Sequence, residues 1–162
     1  METEKIPTPE FVPYDTIGGR ERYIACYKDA WRTAHGSLEG FSEDLCWHAA
    51  RVRAADSPDS LTEMRVNGKF AGVLCLDDRA GRFRRIGWVA FCYVVPELRL
   101  RGLGRAMLDH AAAHYRARGR RALHLTVAPG NPALQFYEHL GFICIGSQPG
   151  ALENLFLMEK KL

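Results

Sequence analysis

No apolar stretch in this sequence approaches the roughly 20 residues a membrane span requires, and the start, Met1-Glu2-Thr3-Glu4-Lys5, is polar and partly acidic. It lacks the basic opening and apolar run of a secretory signal. There is no internal repeat, low-complexity tract or linker, so one domain over residues 1–162 is expected. Cysteine is scarce and unpaired in pattern. Cys26, Cys46, Cys75, Cys92 and Cys144 are odd in number and widely spaced, with no C-x-x-C and no zinc spacing. Reduced thiols, a cytoplasmic location and no metal follow as expectations. Charge of one sign is scarce too. Twenty-two Lys+Arg stand against 19 Asp+Glu, a net of +3, which by itself marks no nucleic-acid binder.

What is present is a 162-residue chain with 47% hydrophobic residues, enough for a core of its own. Pro7, Pro9 and Pro13 make the first 18 residues extended, with a short edge strand over Phe11–Tyr14. Tyr23, Cys26, Tyr27, Ala30 and Trp31 recur at helical spacing from Gly19 to Thr33, and Gly36 ends the pattern. Ser42-x-x-Leu45 opens a second helix, in which Leu45, Trp47, His48 and Val52 suggest a buried side.

The period then changes to two. Leu61–Val66 and Phe70–Leu76 flank an Asn67-Gly68 hairpin turn. Ile86–Val95 is a long, almost wholly apolar strand, as expected of one covered on both faces. A helix from Gly102 to about Arg118 carries a stripe of Leu103, Met107, Ala111 and Tyr115. The strand Ala122–Val127, a short helix opened by Asn131-Pro132, and closing strands over Phe142–Gly146 and Leu155–Lys160 complete the chain. The order indicates an α/β layer fold on a mixed, mostly antiparallel sheet with about four helices.

Chemistry concentrates where the long strand meets the third helix, in Val94-Val95-Pro96-Glu97-Leu98-Arg99-Leu100-Arg101-Gly102-Leu103-Gly104-Arg105-Ala106. The first amides of a helix have no partner within it, and the helix dipole adds positive potential there. With glycines to let a ligand approach, this is a cradle for phosphate. It is not a P-loop, because no Gly-Lys-Ser/Thr follows, and not a dinucleotide fingerprint, because a third glycine would fall on Met107. Read locally, the run is also compatible with a glycine-capped helix bearing solvated arginines.

Arg99-x-x-Gly102-x-Gly104 after Val95-Pro96-Glu97 resembles the acyl-CoA-binding motif of the GNAT N-acetyltransferase superfamily. Downstream, Asn131 to Phe142 resembles that family's second motif: an Asn, then Ala, then Tyr137-x-x-x-Gly141-Phe142. The resemblance is specific over residues 86–146 and loose over the first 80. It implies an acetyl-CoA-dependent N-acetyltransferase acting on a primary amine of a small molecule or peptide by direct attack. Arg101, Gly102, Leu103, Gly104, Arg105 and Ala106 would face the pyrophosphate, and Arg99 fills the motif's Arg/Gln position. Val94 and Val95 would pair with the pantetheine arm, which Asn131 would also contact while capping its own helix. A donor near there would strengthen its hydrogen bond as an oxyanion forms. Tyr137 would touch the cofactor and protonate the leaving thiolate as general acid; its plain alternative is packing on a short helix.

The amine must lose a proton, yet Gly87–Val95 holds no acid, where many family members carry one. Glu63, Asp77, Asp78, Glu153 or a held water are the candidates; Glu97 reads as a solvated loop carboxylate. His110 and His114 form an i, i+4 pair without a third ligand, so they are expected to be exposed or cofactor-facing rather than metal-bound. His124 is read as core or site-lining, and His139 as surface. By family analogy, residues 35–41 and 147–153 build the acceptor pocket, with Trp31 and Trp47 lining it or packing in the core, and a homodimer is a possibility. The missing strand acid keeps open a non-catalytic acyl-CoA sensor. A nucleic-acid partner is not expected: there is no helix-turn-helix signature, and aromatics are not interleaved with the arginines. From Arg99 to Arg121 seven arginines meet one acid, Asp109, a local +6 that leaves −3 for the rest. That segment is expected to serve an anionic cofactor.

Overall fold

A computed structural model describes residues 8–162; Met1–Pro7, including the polar start and Pro7, lie outside the described residues. Seven strands form a sheet in the order β1-β2-β3-β4-β5-β7-β6. They are β1 (Glu10–Pro13), β2 (Leu61–Val66), β3 (Lys69–Asp77), β4 (Ile86–Val94), β5 (Ala122–Val127), β6 (Ile143–Pro149) and β7 (Asn154–Lys161). Four helices accompany them: α1 (Arg20–His35), α2 (Glu43–Asp56), α3 (Leu103–Arg116) and α4 (Ala133–His139). Neighbouring strands run antiparallel except β4 and β5, which are parallel. The expected mixed, mostly antiparallel sheet with about four helices is what forms.

A core lies on each face of the sheet. On one, α3 lays Leu103, Met107, Ala111 and Tyr115 against Leu74, Leu76, Val89, Leu123 and Leu125, all buried. The stripe read from the sequence is therefore the seam of this core, and the Tyr115 hydroxyl ties it to β4 by donating to Trp88 O at 2.8 Å. On the other, α1 and α2 bring Tyr23, Ile24 and Trp47 onto Leu61, Val73, Phe91 and Tyr93.

Helix α2 begins where expected, with Ser42 Oγ accepting the Leu45 amide, but its buried face was misread. Trp47 and Ala50 are buried, whereas Leu45 is 71% exposed and Val52 40%. At about 100° per residue, Leu45 points almost opposite to Trp47, so the two cannot share a face. Along β4 buried residues alternate with half-buried ones, and the buried ones serve both cores: Val89 faces the α3 side, Phe91 and Tyr93 the α1–α2 side.

The decisive feature is how little β4 and β5 pair. Their parallel ladder comprises only Ile86↔Ala122, Gly87↔Leu123 and Trp88↔His124. Beyond Trp88 the strands part. Strand β4 stays paired with β3 to Val94, and β5 stays paired with β7 to Val127. A register shift of the β3–β4 pair between Cys75 and Leu76, opposite Ala90, adds local twist at that point. A wedge opens between the two half-sheets, with α3 starting at the end of β4.

Candidate active site

The wedge exposes backbone. Hydrogen-bonding direction alternates along a strand, and Val95 N–H donates to Ala71 O on β3 at 2.9 Å. Cys92 and Val94 therefore turn their backbone groups toward the wedge. Val95 does not serve there as expected: its amide is spent on Ala71 and its carbonyl accepts from the Leu98 amide at 3.0 Å. Val94 is the edge partner on offer, and its carbonyl accepts from Arg99 Nε at 2.9 Å.

Arg99 is thus not a free cation of the cradle. Its guanidinium also reaches Asp29 Oδ2 on α1 at 3.3 Å and lies over the Tyr93 ring, 5.2 Å from its centroid. Tyr93 donates to the same Asp29 oxygen at 2.6 Å. Burial, together with that bond, holds the Tyr93 phenol far above its usual range. No sequence signal pointed to Asp29, which lies 70 residues from Arg99.

At the start of α3 the chain turns through Leu100 (φ 62°) and Gly102 (φ 83°), both left-handed. Nothing lies near a Cβ built on Gly102, so that glycine serves the turn and leaves the approach open. Gly104 has a different reason: a Cβ there would sit 2.8 Å from Phe136 Cζ on α4. The two motifs are packed against each other at this glycine. The Ala106 amide already donates to Gly102 O at 3.1 Å, so it is not a free donor. The amides of Gly102, Leu103, Gly104 and Arg105 precede it, without intrahelical partners. Arg101 and Arg105 are exposed beside them.

Helix α4 supplies the second motif. Asn131 Oδ1 accepts the Ala133 amide at 3.0 Å, which is its capping role and leaves its NH2 group unspent. Tyr137 packs against the α3-side core and meets Phe142 edge-on at 5.8 Å. Burial pushes the Tyr137 phenol far above its ordinary range, with the nearby Cys92 thiol on β4 adding to the effect. Such a phenol stays protonated at neutral pH and acts as a donor. Among the described residues its hydroxyl has no recorded hydrogen-bond partner.

The proposed proton acceptors are mostly committed elsewhere. Glu63 is held by Arg22 and Arg65 on β2. Asp77 pairs with Arg53 at 3.4 Å. Asp78 takes His114 Nε2 at 2.9 Å and the Ser60 hydroxyl at 2.9 Å. Only Glu153 lies on an expected acceptor loop, 3.5 Å from His35 Nδ1. Its loop and the α1–α2 loop meet, with Leu152 against Gly40. Trp31 donates to Glu39 O at 2.9 Å within that arch, whereas Trp47 is in the core.

The histidines divide as well. His110 stacks on Phe11 (centroids 3.9 Å, 9° between planes) and His114 is buried on Asp78, so the pair neither faces the wedge nor stands exposed together. His139 is exposed, with Nδ1 2.6 Å from Gln135 O. His124 is the informative one. It closes the last β4–β5 rung, opposite the face taken by Leu123 and Leu125, and its Nε2 lies 2.8 Å from Glu159 on β7. Trp88 meets it edge-on at 5.5 Å. Sequence reasoning had the histidine but not its carboxylate, 35 residues away. No cluster of three metal-ligating groups occurs among the described residues, and no helix there is long and apolar enough to cross a membrane.

Comparison with known proteins places this geometry. The acetyltransferase (GNAT) family matches residues 20–142. An uncharacterized N-acetyltransferase of Methanocaldococcus jannaschii is 33% identical over 88 residues, which is 52% of this chain and 39% of that protein. The fold resembles the PaiA N-acetyltransferase of Thermoplasma acidophilum, solved with coenzyme A (TM-score 0.69, 18% identity, 95% of this chain and 99% of that one). It also resembles a GNAT acetyltransferase of Streptococcus pneumoniae (TM-score 0.65, 27% identity, 95% and 99%). With the family match covering most of the chain and both motifs built around one wedge, the chain belongs to the GNAT family of acetyltransferases.

Proposed function

We propose that this protein transfers an acetyl group from acetyl-CoA to a primary amine of a small molecule or peptide by direct attack. The observation that carries the reading is the wedge: two strands that stop pairing after Trp88, with free helix amides at one end and the Tyr137 phenol beside β4. Both reactants are substrates, and the residues fit the first of them. Val94 offers a strand edge to an extended amide-bearing arm. Leu103, Gly104 and Arg105 offer amides, and Arg101 and Arg105 charge, to a pyrophosphate. Asn131 keeps an NH2 group for the arm between them.

The chemistry asked of the protein is two proton transfers around one acyl shift. The amine nitrogen bonds to the acetyl carbon, and the carbon–sulfur bond breaks with its electron pair going to sulfur. Tyr137 gives its proton to that sulfur: burial keeps the phenol protonated beforehand, and the same dry surroundings raise the proton affinity of the thiolate that forms. The proton shed by the amine goes to solvent or to a base, for which His124, beside Glu159 at the last β4–β5 rung, is the candidate on this side of the wedge. Solvent then returns the phenol to its protonated state.

Isothermal titration with acetyl-CoA tests the first half, and absence of binding overturns it. Thiol release across an amine panel tests the second. Binding without thiol release from any amine would favour the acyl-CoA sensor, the reading that the acid-free β4 keeps open.

A further inference from the structure

The arginines between Arg99 and Arg121 do not form one patch. Helix α3 spans 14 residues, roughly 21 Å at 1.5 Å per residue, and separates them. Arg99, Arg101 and Arg105 stand at its start. Arg116, Arg118 and Arg121 lie at and beyond its other end, where the β3–β4 loop adds Arg82, Arg84 and Arg85. The Arg121 amide donates to Arg85 O at 2.7 Å. The Arg120 guanidinium spans Ile86 O (2.6 Å) and Asp78 O (2.9 Å). Loop and helix end are therefore locked into one surface.

Six arginines on that surface are exposed (82, 84, 85, 116, 118 and 121), and none forms an ion pair among the described residues. The neighbouring acids are already taken: Asp56 by Arg79, Asp77 by Arg53, Asp78 by His114. In a chain of net charge +3, six uncompensated cations at one pole are a strong local field. At the tip of the loop, between Arg82 and Arg84, Phe83 is 98% exposed. Solvating a whole phenyl ring serves no packing purpose. An aromatic face flanked by guanidinium groups is the pairing that holds an unstacked base and its phosphates.

We propose that this pole binds single-stranded nucleic acid, with Phe83 stacking on a base and the arginines contacting phosphates. The expectation that aromatics and arginines are not interleaved fails at Arg82-Phe83-Arg84, ahead of β4. The surface is distinct from the wedge, so the proposal stands or falls apart from the acetyl-transfer reading.

The test is fluorescence anisotropy of the whole protein with a labelled 15-mer of uridines, from 50 to 200 mM salt. Binding is expected to weaken with salt at a log–log slope of about −2 to −4, as for three to six phosphates on a single strand. Phe83→Ala should weaken it about 5- to 100-fold, and the R82A/R84A/R85A variant should flatten the slope. Acetyl-CoA titration of both variants should match the parent, which shows that they fold. Absence of binding at 50 mM salt overturns the proposal. So does competition by acetyl-CoA, which would locate the contact at the α3 start. Equal affinity for a poly-glutamate peptide, or an unchanged Phe83→Ala, overturns it in favour of an unspecific polyanion surface.

Discussion

Tyr137 sits beside Cys92 with its phenol held protonated by burial, so removing its hydroxyl should affect chemistry more than shape. On the proposed mechanism, Tyr137→Phe lowers turnover about 100-fold or more while leaving the acetyl-CoA dissociation constant within a factor of two or so. Unchanged turnover would sink the acid role. Leu100 makes the opposite kind of prediction. It is fully exposed at φ 62°, a conformation that its Cβ disfavours by about 1–2 kcal/mol. Glycine gives back part of that through a freer unfolded chain. Leu100→Gly should therefore raise the melting temperature slightly, a net of about 0.5–1 kcal/mol; a lower melting temperature would show that the leucine makes a contact worth more than its strain. The turn at Gly102 and the cap made by Asn131 were legible in the sequence because both are local. Arg99's attachment to Asp29, and His124's to Glu159, were not, because each pair is brought together only by strands and helices far apart in the chain.

At the scale of elements, α3 and α4 meet where Gly104 faces the Phe136 ring. A methyl group there must displace the ring or the helix. Gly104→Ala should cost about 1–3 kcal/mol in a denaturant melt and weaken acetyl-CoA binding with it. Retained affinity would separate the glycine's packing role from its place in the cradle. At the other end of α3, Asp78 ties His114 to Ser60; burial pushes its carboxyl up, but those hydrogen bonds and the nearby His114 and Arg118 outweigh it and hold the carboxyl down to about 2. An unfolded aspartate titrates near 3.8, so the folded state binds this proton more weakly. The resulting stability, about 2 kcal/mol, is complete above the unfolded value and is lost as pH falls toward about 2. Asp78→Asn should lower stability at pH 7 and flatten its fall between pH 5 and 2. An unaltered acid limb would mean that other carboxylates govern it. Element boundaries followed closely from periodicity and caps. The face of α2 did not, since its Leu45 and Val52 are apolar without being buried, and apolar identity alone does not set a helix's phase.

For the molecule as a whole, the sequence told that one segment carries the cationic excess, but not that the segment is divided in space. A helix in the middle of that segment sends its charges to opposite ends, something net charge along a sequence cannot express. The three-rung seam between β4 and β5 has a consequence of its own for hydrogen exchange. Beyond Trp88, the Cys92 and Val94 amides sit in a sheet flanked by strands and yet have no strand on one side. In deuterated buffer they should exchange orders of magnitude faster than the ladder amides of β3, and slow selectively when acetyl-CoA is added. Protection of both in the free protein would mean that the wedge closes in solution. With so short a seam, β5–β7 and α4 are also expected to exchange as one block, opening from β1–β4 before the whole chain unfolds.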